Sequence, residues 1–466
     1  MTGMPNGHGS FWLHSVPDPR GPRPALGEDL DADVVIVGAG LSGLWTAYWH
    51  ARRAPGSRIV VLEQERVGYG ASGRNGGWLS GKTVGQRRRL LAAGHSAAEA
   101  LAMERRVFDA VREVPEIFER AGKDVDAVRG GWMQIARSES ELARMREYVR
   151  AERAWGLGEE DITLLSAQEA AGRVNVPGIR GAAYSPHAVR LHPAKLMYAL
   201  AELCEEAGVR IFEQSRAEEI APGMCRTAGG SVRAPVTVLA TEGYTAALPG
   251  RRRELLPMLS SMVVTDPLSP DQWERIGWEA AECMSGAQHM YFYAQRTADG
   301  RIAMGGRGKP YRWGSALDED GALDPRTVEQ LCRTLQDLFP QVRLSFAHSW
   351  CGVLGVTRDW SPFIDVQAQH GGTRLVRLGG YAGQGVTAAY LAARTAADLI
   401  AGEDTELTRS TWVRPLPRRW EPEPLRWAGA NAIYKLYRMA DHAERGRGGT
   451  ATSSFALLGH KLAGRS

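Results

Sequence analysis

The chain is 466 residues long, 44% of them hydrophobic and 24% charged, with a formal net charge of +4. That supplies apolar residues for a large core and, at about 150 residues per domain, predicts roughly three units or two larger ones. So small a positive excess excludes an electrostatic nucleic-acid binder, which clusters basic residues on one face at a pI above about 9.

Residues 1–31 are rich in Pro and Gly and predict an irregular lead-in; they lack the basic start and apolar run of a signal peptide. Asp33 to Val37 (DVVIV) predicts a buried parallel strand, LWTAYWHARRA a helix, and RIVVLE a second buried strand. Together they form one βαβ unit. From about Arg87 to Arg153 apolar residues recur at helical spacing, as at Phe108, Val111, Val114 and Phe118, with a strand near Trp132. Residues 190–241 return to α/β character, and 255–350 read as antiparallel strands with a helix around Val328–Leu338. A strand, a glycine-rich turn and a long helix then close the core, and RGRGGTATSS reads as a mobile tail.

The predicted fold class is therefore α/β. A Rossmann-type domain (32–90, 170–250 and 350–405) is interleaved with a mostly antiparallel α+β domain (91–169 and 251–349), and 406–466 form a C-terminal extension. Trp412, Trp420, Trp427, Tyr434 and Tyr437 of the extension are expected to pack on the body. No stretch approaches the roughly 18 uncharged apolar residues of a membrane span. The five cysteines, Cys204, Cys225, Cys283, Cys332 and Cys351, are odd in number and form no CxxC pair. Neither a disulfide framework nor a metal site is expected, and a reducing, cytoplasmic setting fits.

Gly38-Ala39-Gly40-Leu41-Ser42-Gly43 is a GxGxxG turn that directly follows a strand and opens a helix. Gly38 permits the tight turn, Gly40 lets a pyrophosphate approach the backbone, and Gly43 lets helix and strand pack closely. The helix N-terminus then faces the phosphates. Glu63, with Gln64 beside it, ends the second strand twenty positions after Gly43. A carboxylate there accepts hydrogen bonds from ribose hydroxyls and repels a 2′-phosphate, which disfavours NADP.

This unit alone does not separate NAD from FAD. Two further elements favour FAD. Gly70-Ala71-Ser72-Gly73-Arg74-Asn75-Gly76-Gly77 makes poor structural sequence but a good loop for wrapping an extended cofactor, with Arg74 available to a phosphate. Gly379-Gly380-Tyr381-Ala382-Gly383-Gln384-Gly385 precedes a helix whose N-terminus would place positive potential beside the flavin pyrimidine.

These motifs resemble the D-amino-acid-oxidase-like FAD oxidoreductases, the superfamily of glycine and sarcosine oxidases. Gly68–Gly81 and the run Gly355–Asp365 resemble its γ-glutamylputrescine oxidoreductase branch. The resemblance implies FAD extended across the Rossmann domain, a mostly antiparallel sheet roofing the flavin, and hydride transfer from the carbon beside nitrogen to flavin N5. It carries over Gly38, Gly40, Ser42, Gly43, Glu63, Ser72, Asn75, Gly76, Gly77, Thr241, Gly380, Gly383, Gln384 and Gly385 as cofactor contacts. Some relatives attach FAD to a cysteine before a Thr-x-Asp. Here Thr357 and Asp359 match that motif, Gly352 takes the attachment position and Cys351 is one residue off, so FAD is expected to be non-covalent. Those relatives also activate oxygen with a roof-strand lysine, whose place Ala303 takes here. Arg307 or Lys309 then substitutes, or the acceptor is not oxygen.

Hydride transfer needs a neutral amine held over N5 in a site that excludes water. Trp78, Tyr291, Tyr293, Trp360 and Tyr381 are the candidate aromatic walls. Tyr291 and Tyr293 are two apart and share one strand face. Arg307 is the candidate clamp for a substrate carboxylate. His289 and His348 read as core or surface histidines, and Arg251–Arg253 as a solvated loop. The expected partners are a small-molecule amine and oxygen or another electron acceptor; a homodimer is left open. The alternative is a flavin-dependent tailoring oxidase or monooxygenase, which needs an NADPH site, and no second GxGxxG has strand context.

Overall fold

The computed structural model describes residues 4–82, 86–317, 320–447 and 449–463. Two sheets organise it. The first has six strands in the order Phe363–Ala368, Arg374–Gly379, Val236–Leu239, Val34–Val37, Ile59–Leu62 and Arg210–Phe212. All neighbours are parallel except the first pair, which is antiparallel.

The strands VVIV and IVVL are apolar at every position because both faces of this sheet are covered. Val34, Ile36, Ile59 and Val61 point into a core shared with the helices Leu41–Arg53, Pro193–Glu206 and Gly385–Ala401. Val35, Val37, Val60 and Leu62 point the other way, onto Leu26, Cys225 and Val232. Those residues belong to a small four-stranded sheet and the chain leading into it.

The second sheet has eight strands, in the order Phe346–Val356, Leu256–Thr265, Ile302–Gly306, Phe292–Arg296, Cys283–Gly286, Trp132–Ala136, Gly181–Ser185 and Thr163–Ser166. It is antiparallel apart from the parallel pairing of Cys283–Gly286 with Trp132–Ala136. Its strands alternate between two environments. Met133, Met284, Leu259, Phe292, Ala294 and Cys351 face an apolar core closed by the helix Pro325–Leu338, whereas Gln134, Ser285, Ser260, Tyr293 and Gly352 line a cavity. A period of two sends neighbours to opposite faces, so one sheet serves as core wall and cavity roof at once.

Three expectations need correction. The strands Gly181–Ser185 and Phe346–Val356 belong to the eight-stranded sheet, so residues 181–185 and 350–356 join the roof rather than the nucleotide unit. Their alternation fits either sheet, and pairing partners decide. Residues 1–31 are not irregular throughout. A short helix, Phe11–Ser15, is capped by Ser10, whose Oγ accepts the Leu13 N–H. Trp12 is 1% exposed and donates Nε1–H to the Asn75 carbonyl at 2.9 Å. Single apolar residues among Pro and Gly show no period, so this burial is invisible until the partners are in place.

The expected mobile tail at 445–454 is instead the join between two packed helices, Leu425–Arg447 and Ser454–Ala463, although residue 448 lies outside the described residues. Gly459 admits the Tyr437 ring, since a Cβ there would lie 2.8 Å from it. Trp412 and Tyr437 are buried, and Trp420 Nε1 donates to the Val356 carbonyl at 2.7 Å, whereas Trp427 is exposed. None of the described helices is long and apolar enough to cross a membrane.

Trp12→Ala is expected to cost about 3–5 kcal/mol, seen as a lower denaturant midpoint. An unchanged midpoint would show that the N-terminal segment is no part of the packed body.

Candidate functional site

A cavity of about 1160 Å³ lies under the roof sheet. Of the predicted cofactor residues, Gly38, Gly40, Leu41, Ser42, Glu63, Gln64, Ser72, Arg74, Asn75, Gly76, Thr241, Gly383, Gln384 and Gly385 line it. All six predicted substrate-side residues, Trp78, Tyr291, Tyr293, Arg307, Trp360 and Tyr381, line it too.

Ala39, Gly43, Gly77 and Gly380 stand behind the wall and act through backbone geometry. A Cβ at Gly43 would lie 1.9 Å from the Gly38 carbonyl oxygen, so helix and strand approach only because it is glycine. Gly77 and Gly380 both sit at positive φ, and a Cβ there would lie 2.0 Å from Gln295 Nε2 and 2.6 Å from Thr357 Cγ2, respectively. Ala39 contributes its N–H to Glu63.

The glycine-rich segments tie one another together. Leu41 N–H donates to Ser72 Oγ at 2.8 Å, joining the first turn to the second loop. Ser42 Oγ and the Tyr381 hydroxyl are 2.8 Å apart, joining the first turn to the third. Glu63 accepts N–H groups from Ala39 at 2.8 Å and Glu65 at 2.9 Å. Burial lifts its carboxyl to about 7, against the pull of those two donors.

Arg74 departs from expectation. Its side chain is buried under the Tyr69 ring, donates Nε–H to the Tyr69 carbonyl at 2.8 Å, and sends Nη1 toward the Cys351 carbonyl at 3.3 Å. It is a strut between the loop and the roof strand Phe346–Val356, and its Nη2 has no hydrogen-bond partner. Asn75 likewise spends its amide on the loop, accepting from Gly77 N–H at 2.8 Å and donating to the Ser72 carbonyl at 2.5 Å.

Glu242 escapes the sequence analysis. It follows the strand Val236–Leu239, adopts φ +43°, and lines the cavity. Its carboxylate accepts N–H groups from Gly355, from Gly380 at 2.9 Å and from Tyr381 at 3.3 Å. Burial raises it to about 7 while those donors lower it. It ties its own turn to the strand Phe346–Val356 and to the turn at Gly380–Tyr381, and a lone acid after a strand carries no signal of that.

On the substrate side the Tyr293 ring is wedged between two glycines. A Cβ at Gly305 would lie 2.1 Å from its Cζ, and one at Gly76 2.6 Å from its Cε2. Its hydroxyl meets Ser260 Oγ at 2.7 Å, and its ring centre is 6.1 Å from Trp78 and 6.5 Å from Tyr291. Trp360 holds a left-handed backbone, φ +57°, within a turn closed by Thr357 and Ser361.

The Arg307 guanidinium is caged by three tyrosine rings: Tyr291 at 4.6 Å, Tyr434 at 5.2 Å and Tyr437 at 5.3 Å. The last two come from the C-terminal extension, which therefore reaches the site. Further along the same helix, Asp441 accepts the backbone N–H groups of His289 and Met290, both at 2.8 Å, and fixes the approach to Tyr291. Glu444 pairs with His289 and Arg144 and accepts the Ser453 N–H. Burial alone would lift its carboxyl, but these donors hold it at about 2. Lys309 pairs with Asp324, is largely exposed and does not line the cavity, so it drops out as a substitute for the roof lysine; Arg307 lines it. Ala303 is buried in the core.

These residues fit FAD. Two long helices, Leu41–Arg53 and Gly385–Ala401, open on one cavity, and neither N-cap residue, Gly40 or Gln384, supplies a side-chain cap. That arrangement suits a diphosphate at one helix end and negative charge on a reduced ring at the other. Cys351 is fully buried on the core face of its strand while Gly352 faces the cavity, as a one-residue offset requires.

Comparison with known proteins agrees. Residues 33–399 match the family model DAO, FAD dependent oxidoreductase. The chain is 28% identical over 403 residues to γ-glutamylputrescine oxidoreductase of Escherichia coli (strain K12), covering 85% of this chain and 90% of that protein. It is 23% identical over 344 residues to the sarcosine oxidase β subunit of Arthrobacter sp, covering 71% and 78%. The crystal structure of glycine oxidase from Geobacillus kaustophilus superposes with a TM-score of 0.68 at 21% identity, covering 84% of this chain and 100% of that one. With the family model spanning most of its length, the chain belongs to the DAO family of FAD-dependent oxidoreductases.

Proposed function

We propose that this protein oxidises the C–N bond of a primary or secondary amine or amino acid to an imine, which water then hydrolyses. The observation that carries the proposal is the pairing, in one cavity, of a dinucleotide cradle with an aromatic wall and a tyrosine-caged guanidinium. The names of the relatives, γ-glutamylputrescine oxidoreductase and sarcosine oxidase, support it. Bound FAD supplies a two-electron acceptor for hydride from the carbon next to nitrogen.

The protein's part is binding, orientation and exclusion of water. Among the described residues no histidine lines the cavity, and its carboxylates, Glu63, Glu65, Glu218 and Glu242, all come from the nucleotide-binding segments. The site therefore works on an amine that binds neutral, with its lone pair ready to form the C=N bond. Trp78 and Tyr293 wall the amine-bearing carbon off from water. Arg307, oriented by its ring cage, clamps a carboxylate where the substrate has one. FAD is held non-covalently, by the backbone of the three glycine segments and by Glu63. The electrons then pass to oxygen or another acceptor.

Three outcomes test this. Anaerobic mixing with primary amines, amino acids and polyamines is expected to bleach the flavin band near about 450 nm for at least one class. Failure across the whole panel would remove the proposal, and reduction by NADPH instead would favour a monooxygenase. Arg307→Met is expected to lower kcat/KM for carboxylate-bearing amines by about 10- to 150-fold, the loss of a charged hydrogen bond worth about 1.5–3 kcal/mol, and to leave plain alkylamines within about threefold. Equal losses for both would show that Arg307 has only a structural role. Acid precipitation is expected to release all the yellow chromophore into the supernatant; colour retained in the pellet would show a covalent bond.

A further inference from the structure

The last helix of the chain, Ser454–Ala463, is built inside out. Ala456, Gly459 and Ala463 are buried against the protein, while Leu457, Leu458 and Leu462 are 58%, 48% and 53% exposed. An amphipathic helix ordinarily turns its leucines inward. Here the Tyr437 ring takes that space, and a Cβ at Gly459 would lie 2.8 Å from it, so small side chains face the contact. At about 3.6 residues per turn, the three leucines and Lys461 fall on one arc of the helix. Single exposed leucines are ordinary, but three along one stripe mark a surface that meets a partner.

Charge on the two C-terminal helices is sorted in the same way. Residues 425–463 contain two acids, Asp441 and Glu444, and both are buried. Asp441 accepts the His289 and Met290 N–H groups, and Glu444 pairs with Arg144 and His289. Among the described residues, the charged side chains exposed on these helices are Lys435, Arg438 and Lys461, all cationic. The outer face therefore joins an apolar stripe to cations, with no acid beside them.

That pairing selects the occupant. A twofold contact with a second copy sets the same patch against itself, which would bring Lys461 and its neighbours onto like charges. A nucleic acid would answer the cations and leave the leucines in water. An anionic lipid surface answers both, because leucines enter the acyl boundary while lysine and arginine stay at the phosphates.

We propose that the outer face of this helix pair docks on an anionic lipid surface, with Leu457, Leu458 and Leu462 in the acyl boundary and Lys435, Arg438 and Lys461 among the headgroups. The last helix then lies in the plane of the surface and does not cross it. The inner face keeps Tyr434 and Tyr437 on Arg307, so docking needs no rearrangement of the cavity.

The test is flotation of FAD-loaded full-length protein with vesicles of equimolar phosphatidylcholine and phosphatidylglycerol, beside vesicles of phosphatidylcholine alone. The readout is vesicle binding and does not depend on whether any amine reduces the flavin. Binding to the anionic vesicles is expected, at least tenfold stronger than to the neutral ones, and weakened by salt raised from about 0.1 M to about 1 M. Two variants are compared. One carries Leu457→Gln, Leu458→Gln and Leu462→Gln, and the other Lys435→Glu, Arg438→Glu and Lys461→Glu. Each is expected to lose binding at least tenfold with an unchanged flavin spectrum and thermal midpoint. If one variant fails to fold, the other decides. No binding by wild type, equal binding to both kinds of vesicle, or a folded variant that binds as wild type does would overturn the proposal. So would self-association in sedimentation that the leucine variant abolishes while vesicles stay unbound, which would assign the face to a second copy.

Discussion

The Tyr293 ring stands between Gly76 of the wrapping loop and Gly305 of the roof, with its hydroxyl on Ser260. Any side chain at either glycine would sit closer to the ring than atoms tolerate. This three-way contact sets how near the roof sheet comes to the nucleotide unit, and so the height of the cavity between them. Trp78 and Tyr291 take their places relative to that ring, and Arg307 relative to Tyr291.

Around this steric wedge, buried acids and backbone amides do the fastening. Glu63 holds the first turn through Ala39, and Glu242 collects amides from Gly355, Gly380 and Tyr381. Both carboxyls lie high, near 7, because burial outweighs their donors. Each therefore sits close to the point at which it gives up its charge, in a cavity whose two helix ends favour negative charge.

The C-terminal extension backs the cavity through one wall residue, Arg307. Tyr434 and Tyr437 stack on Arg307, while Asp441 and Glu444, one and two turns further along, pin the segment 289–290 and Arg144. One helix face thus orients the substrate clamp and holds the roof loop that carries Tyr291. A smaller chamber shares Lys82, Arg88, Gln134 and Gln384 with the same cavity.

How much of this was legible depended on how local each interaction is. GxGxxG with its flanking strand and helix, and Glu63 at the next strand end, lie within one βαβ unit, so spacing alone identified them. Alternation placed Tyr291 and Tyr293 on one face and turned Cys351 away from the cavity, because a strand's period of two leaves no freedom. Other features came only with the fold: the burial of Trp12, the strut role of Arg74, the knot at Glu242 and the tyrosine cage of Arg307. Each joins residues tens to hundreds of positions apart, of types common in any chain and without period. Sequence by itself determined which backbone segments could bind a dinucleotide. Tertiary packing decided which side chains face it, since a polar group's role is set by the partners that reach it and by the water it loses.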